Sequence, residues 1–166
     1  MIYPYLFPKA LFFLSVDLLL VFDLDSEIRH KIELIDRSLK IIRENLPTSL
    51  EDFLKMGLEK DGIYKQLEFA IQNVLDICNE INSSLELSIA VGYDDVVGSL
   101  YNAKIIDDEL REKLDFLIQL REVLIYNYHL IQDEIAFKNM PEYLAMIGDF
   151  LAFTERFLEG QKWRES

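Results

Sequence analysis

Apolar residues recur at alternating spacings of four and three along four long stretches of the chain. In 26–46 they are Ile28, Ile32, Ile35, Leu39, Ile42 and Leu46. In 62–86 they are Leu67, Ile71, Val74, Cys78, Ile81 and Leu85, with Ile63, Ala70 and Ile77 widening the face. In 141–159 they are Leu144, Ile147, Leu151 and Leu158, flanked by Tyr143, Met146, Phe150, Phe153 and Phe157. A helix of 3.6 residues per turn gathers each set onto one stripe. Four stripes bury one another most simply as an antiparallel four-helix bundle, so the fold expected is all-α. The breadth of the last apolar face predicts a second buried surface there, a dimer contact. The remaining stretch, 108–128, follows the same rhythm through Leu110, Leu114, Leu117, Leu124 and Tyr128, but Arg121 occupies one of its inner places.

Polar residues punctuate these stretches. Thr48 followed by Glu51 has the spacing of a capping box and predicts a short helix ending near Gly57. Asp107 is placed to cap the third long helix, with Asp108 and Glu109 in its favourable first turn. Asn139, Pro141 and Glu142 read as a cap, a first-turn proline and a capping acid that would open the last helix. Between the second and third long helices, "YDDVVGSLYNAK" predicts a short helix after a loop. No segment alternates as a strand would. The organisation expected is an apolar extension over 1–25, a helical bundle over 26–159 and a tail over 160–166. The extension contains "ALFFLSVDLLLVF", which Asp17 interrupts and which is too short to cross a bilayer comfortably. It also lacks the flanks of a secretion signal. A helix packed on the protein or on a partner subunit is expected there, with no membrane partner.

Composition narrows the function. At 166 residues, 51% of them hydrophobic, the chain has the length and apolar content of one folded domain. A net charge of −13 disfavours broad binding to nucleic acid or anionic membranes, while leaving room for one local basic site. The lone Cys78 cannot form an internal disulfide and fits a reducing, cytoplasmic setting. The chain has no phosphate-binding glycine loop and no Cys/His cluster, and its two histidines, His30 and His129, lie far apart. The acids Asp94–Asp95 and Asp107–Asp108–Glu109 read as a turn and a helix start rather than a cation site. No cofactor and no metal are expected.

Arg121 carries the candidate chemistry. Burying an unpaired guanidinium is costly, so its head must pair with an acid, reach water or face a cleft. The residues around it, "LREVLIYNYHLI", resemble the signature of the HEPN superfamily, specifically the HepT-like toxins paired with a minimal nucleotidyltransferase antitoxin. That signature runs from an arginine and a polar residue, over three further residues, to a histidine, any residue and a tyrosine. Here Arg121 takes the arginine place, Glu122 the polar place, Tyr126 the histidine place and Tyr128 the terminal tyrosine. "LEFAIQNVLDICNEI" is similar to the family's second core helix, and "GYDDVVGSLYNAKIIDDELREKL" to the linker before the signature helix. The resemblance spans about residues 26–158.

The resemblance implies a helical homodimer acting as a metal-independent endoribonuclease. It also implies a nucleotidyltransferase partner that neutralises the toxin, in some members by adding AMP to the signature tyrosine, here Tyr128. Cleavage at an RNA 2′-hydroxyl needs proton transfer, which histidine performs near neutrality, and a cation for the phosphorane, which arginine supplies. With Tyr126 in the histidine place the site is degenerate. A phenol with a reference pKa of about 10 is only about 0.1% ionised at pH 7. His129 is the nearest imidazole, about 80° around a straight helix from Arg121. The expectation is a HepT-like toxin component with weakened RNA cleavage. The alternative is a non-catalytic helical module that docks the nucleotidyltransferase and carries its modification on Tyr128.

Overall fold

The structure, a computed structural model, describes the backbone of residues 9–162 and the side chains of residues 24–160. Among the described residues six α-helices and one 3-10 turn follow in order: α1 (Lys9–Asn45), α2 (Leu50–Lys55), α3 (Leu58–Ser84), α4 (Tyr93–Asn102), α5 (Asp108–Tyr126), the turn Tyr128–Leu130, and α6 (Asp133–Lys162). The four long helices correspond to the four periodic stretches, and no strand occurs among the described residues. Their stripes form one core. Ile28, Ile35 and Ile42 of α1, Leu67, Ile71, Val74 and Cys78 of α3, Leu114 and Leu117 of α5, and Ile147 and Phe150 of α6 are all essentially inaccessible to solvent. Fully burying one such aliphatic side chain contributes about 1.5–3 kcal/mol.

α3 is the central element and packs against α1, α4, α5 and α6. α5 runs antiparallel to it: Gln72 of α3 meets Arg121, whereas Asp61, earlier in α3, meets Tyr128 beyond the end of α5. α6 is antiparallel to α5 in turn, with Lys113 on Asp149 and Phe116 against Tyr143. The polar residues inside are satisfied; buried Ser38 of α1, for instance, bonds to Gln66 of α3.

Four boundaries differ from the sequence expectations. α1 runs unbroken from Lys9, so the extension and the first bundle helix are one helix, with no boundary at residue 25. Helical backbone over 10–22 accords with expectation; burial of those side chains lies outside the described residues. The cap of α2 is Ser49, not Thr48. The Ser49 hydroxyl accepts from the Asp52 amide at 3.1 Å and donates to the Asp52 carboxylate at 2.7 Å, so the N-cap falls one residue later than expected and Glu51 is left to pair with Lys55. Asp107 caps α5 as expected, accepting from Leu110 N at 2.9 Å.

The third difference is at α6, which begins at Asp133 and carries Pro141 in its interior. An interior proline forfeits a hydrogen bond and costs about 3 kcal/mol. Here the turns before it are held by tertiary contacts: Asp133 is bonded by Lys60 and Tyr64, the Phe137 ring lies 5.1 Å from that of Phe53, and Met140 is fully buried. Last, α5 stops at Tyr126, where Asn127 leaves helical geometry (φ −128°, ψ 34°) and Tyr128 enters a separate turn. Among the described residues no helix is long and apolar enough to cross a membrane.

Candidate active site

A polar stripe on α3 positions the chemistry. Asp61, Lys65, Glu68, Gln72 and Asp76 recur at spacings of four, three, four and four. Such spacing keeps them on one side of the helix, the side that faces α5. Arg121 projects onto the far part of this stripe. Its Nε donates to Gln72 Oε1 at 2.6 Å, and its guanidinium carbon lies 5.4 Å from the centre of the Tyr93 ring, within cation–π range. Gln72 Nε2 donates to Asp76 Oδ1 and to Tyr93 Oη, both at 2.7 Å, and Tyr93 Oη donates to Asp76 Oδ1 at 3.0 Å. Of the outcomes open to a guanidinium on an inner stripe, the structure shows one built on a neutral amide and an aromatic face. Among the described residues no carboxylate pairs with Arg121 directly. Tyr93 is held above the usual phenol range, chiefly by burial, with the bond to Asp76 adding to it and the bond from Gln72 opposing it.

The near part of the stripe receives Tyr128. Its hydroxyl donates to Asp61 Oδ1 at 2.5 Å, and its ring meets that of Tyr64 edge-on at 5.8 Å. Beneath it, buried Tyr64 donates to Asp133 Oδ1 at 2.8 Å, and Lys60 bonds the other oxygen of that carboxylate at 2.5 Å. Burial first, then the bond to Asp133, pushes the Tyr64 phenol far above its ordinary value; burial and the bond to Asp61 do the same for Tyr128. A shallow cleft of about 250 Å³ opens here, lined by Asp61, Tyr64, Lys65, Glu68, Leu124 and Tyr128.

These two places are distinct. Asp61 and Gln72 are eleven residues apart on α3, about 16 Å along the axis and about 20° around it. A helix continuing through residue 128 would have set Tyr128 on the Arg121 face at close quarters; the break after Tyr126 sends it along α3 instead. Tyr126 itself lies in unbroken helix, about 140° around from Arg121, and is 72% exposed. His129 and Glu122 are exposed as well, and His30 is exposed on α1. Within one chain, therefore, Arg121 is not joined by Tyr126, His129 or Tyr128.

A family model described as ribonuclease HepT-like matches residues 35–155. The chain belongs to the ribonuclease HepT-like family. A HepT-like chain of this kind is similar to a candidate RNase of Archaeoglobus fulgidus, with 28% identity over 129 residues that cover 78% of this chain and 91% of that one. Its fold resembles that of a Shewanella oneidensis HEPN toxin described as tri-AMPylated and in complex with an MNT antitoxin, at a TM-score of 0.71 and 22% identity, covering 78% of this chain and 97% of that one. The cytosolic Bacillus subtilis protein YutE, described as of unknown function, shares the fold at a TM-score of 0.68 and 18% identity, covering 82% of this chain and 92% of that one. The residues that sequence reasoning missed in this HepT-like chain are Gln72, Asp76 and Tyr93 around Arg121, and Asp61 beneath Tyr128. Asp61, Gln72 and Asp76 belong to a second, polar period on α3 beside the apolar one, whereas Tyr93, at the start of α4, carries no such signal.

Proposed function

We propose that this HepT-like protein is the toxin component of a toxin–antitoxin pair, with RNA as its substrate class and a minimal nucleotidyltransferase as its antitoxin. The observation that carries the reading is Arg121. It is a guanidinium held in place by neutral groups, at the signature arginine of a ribonuclease family. A guanidinium aimed at a phosphorane stabilises the charge that develops there. Proton transfer is the weak part, because Tyr126 stands in the histidine place. Cleavage by the parent protein is therefore expected to be weak and independent of added metal. The test is RNA cleavage by purified parent, Tyr126→His and Tyr126→Phe proteins in the presence of a chelator. Strong cleavage by the parent, unchanged in Tyr126→Phe, would refute the degenerate-site reading and turn attention to His129.

One observation favours the second reading, a docking module that does not cut. Tyr126 points away from Arg121 in unbroken helix, while the Tyr128 hydroxyl sits at an accessible position. Under that reading a nucleotidyltransferase transfers AMP to Tyr128 whether or not RNA is cleaved. Mass spectrometry of the chain after co-expression with a neighbouring nucleotidyltransferase tests it, with added AMP on Tyr128 as the expected result. In either case the protein works as a homodimer in the cytoplasm, with the signature helix and part of the aromatic face of α6 at the interface. Light scattering at micromolar concentration should give twice 19.5 kDa; a clean monomer would count against the dimer.

A further inference from the structure

The Arg121 guanidinium depends on an amide that could face it either way round. A glutamine side chain has an acceptor end and a donor end of nearly equal size. Arg121 Nε–H needs the acceptor end. If Gln72 turned over, two donors would oppose each other and the contact would be lost. Tyr93 cannot settle the choice, because a phenolic hydroxyl both donates and accepts and would satisfy either end of the amide.

Asp76 can settle it. An ionised carboxylate only accepts, and here one of its oxygens takes protons from both the Gln72 NH₂ group and the Tyr93 hydroxyl. The hydroxyl, committed to Asp76, then has only its lone pairs to offer Gln72, and it accepts from the same NH₂ group. Both partners thus demand the donor end of Gln72, and Oε1 is left for Arg121. We infer that Asp76 is the positioning residue of the Arg121 site: by fixing the Gln72 amide it holds the guanidinium without touching it.

The indirectness matters. A carboxylate bonded straight to Arg121 would cancel much of its charge. With an amide interposed, the hydrogen bond that Arg121 makes among the described residues comes from Nε, and a guanidinium meets a phosphate bidentately through its other donors. Asp76 bonds to Gln72 and Tyr93 and is not among the ion-pair or hydrogen-bond partners of Arg121, so it acts through its neighbours. This inference rests on the reading of Arg121 as the group that meets the scissile phosphate, and its first test needs no cleavage at all.

That test is the arginine Nε–Hε region of the NMR spectrum of ¹⁵N-labelled protein, with the Arg121 signal assigned by its loss in Arg121→Lys. In the parent the signal should stand apart from the solvent-averaged arginines and exchange slowly with water. In Asp76→Ala, a change that suits a half-exposed helical position, Tyr93 is free to donate to Gln72 and the amide can turn. The Arg121 signal should then join the averaged group, and Asp76→Asn, which keeps one acceptor oxygen, should restore part of the separation. Tyr93→Phe leaves the Asp76–Gln72 bond in place and should leave the signal apart. An unchanged signal in Asp76→Ala overturns the inference, and so does its loss in Tyr93→Phe, which stays informative if the alanine variant does not fold. In the Tyr126→His background, Asp76→Ala should lower kcat by about 10²-fold, the scale set by small misplacements of a catalytic group, with KM nearly unchanged. Absence of cleavage in every variant would defeat the proposed ribonuclease function, while the NMR signal would still decide the role of Asp76.

Discussion

The two ends of the polar stripe on α3 hold their functional side chains in opposite ways. At the Arg121 end the guanidinium bonds Gln72, which is itself tied into a connected set of bonds with Asp76 and Tyr93. At the Tyr128 end the hydroxyl makes one bond, to Asp61, at a residue 41% exposed and in a turn outside any α-helix. The firm structure at that end lies one layer down, in Lys60, Tyr64 and Asp133. The contrast follows what each group would have to do. A cation that stabilises a transition state gains from being fixed beforehand. A hydroxyl that another enzyme must reach gains from accessibility.

The largest effect should come from supplying the proton-transfer group that the Arg121 end lacks. Tyr126→His is expected to raise RNA cleavage by about 10²–10⁴-fold, the usual worth of general acid–base catalysis, and Arg121→Ala in that background should remove the gain. Initial rates on a fluorescent RNA would show both; no gain would mean that the fixed arginine is not part of a repairable site.

Next in size is the buried layer at the other end. Asp133→Ala leaves the hydroxyl of Tyr64, a residue 3% exposed, without its acceptor. It should cost about 1–3 kcal/mol in urea denaturation. Asp61→Ala releases the Tyr128 hydroxyl to water and should cost about 0.5 kcal/mol or less. Equal costs would erase the distinction between an exposed hydroxyl and a buried foundation.

The smallest effect is on pH dependence. The Tyr64 phenol is raised in the folded state above its ordinary value of 10.0, so the stability it contributes is fully present below pH 10. Above that pH the unfolded chain ionises first and the contribution is progressively lost. Urea midpoints should therefore fall from about pH 10 upward, and fall less steeply in Tyr64→Phe. The same slope in both proteins would show that Tyr64 is not held neutral by its surroundings.

Much of the fold was legible because burial imposes a period. The four apolar stripes, the Asp107 cap and the short helix in "YDDVVGSLYNAK" all follow from local spacing, and Arg121 was conspicuous because it broke a period. What could not be read was decided by contacts distant in sequence. Pro141 sits inside α6 because Asp133, Phe137 and Met140 are held by other helices, and local propensity alone would start the helix at the proline. In "IYNYH" only Asn127, a weaker stop signal than glycine or proline, marks the end of α5, yet that end carries Tyr128 away from Arg121. Gln72, the partner of Arg121, lies 49 residues upstream and looks like ordinary helix surface until α5 is laid against it.

The only cysteine offers a clock. Cys78 is wholly enclosed in the C-terminal third of the central helix, and burial holds its thiol protonated well beyond the ordinary range. A thiol reagent can reach it only when the helices around α3 part. Its labelling rate thus reports how often the folded molecule opens, with no mutation. Comparing that rate with and without a bound partner, at one reagent concentration, would tell how far docking quiets the whole bundle rather than the surface it covers.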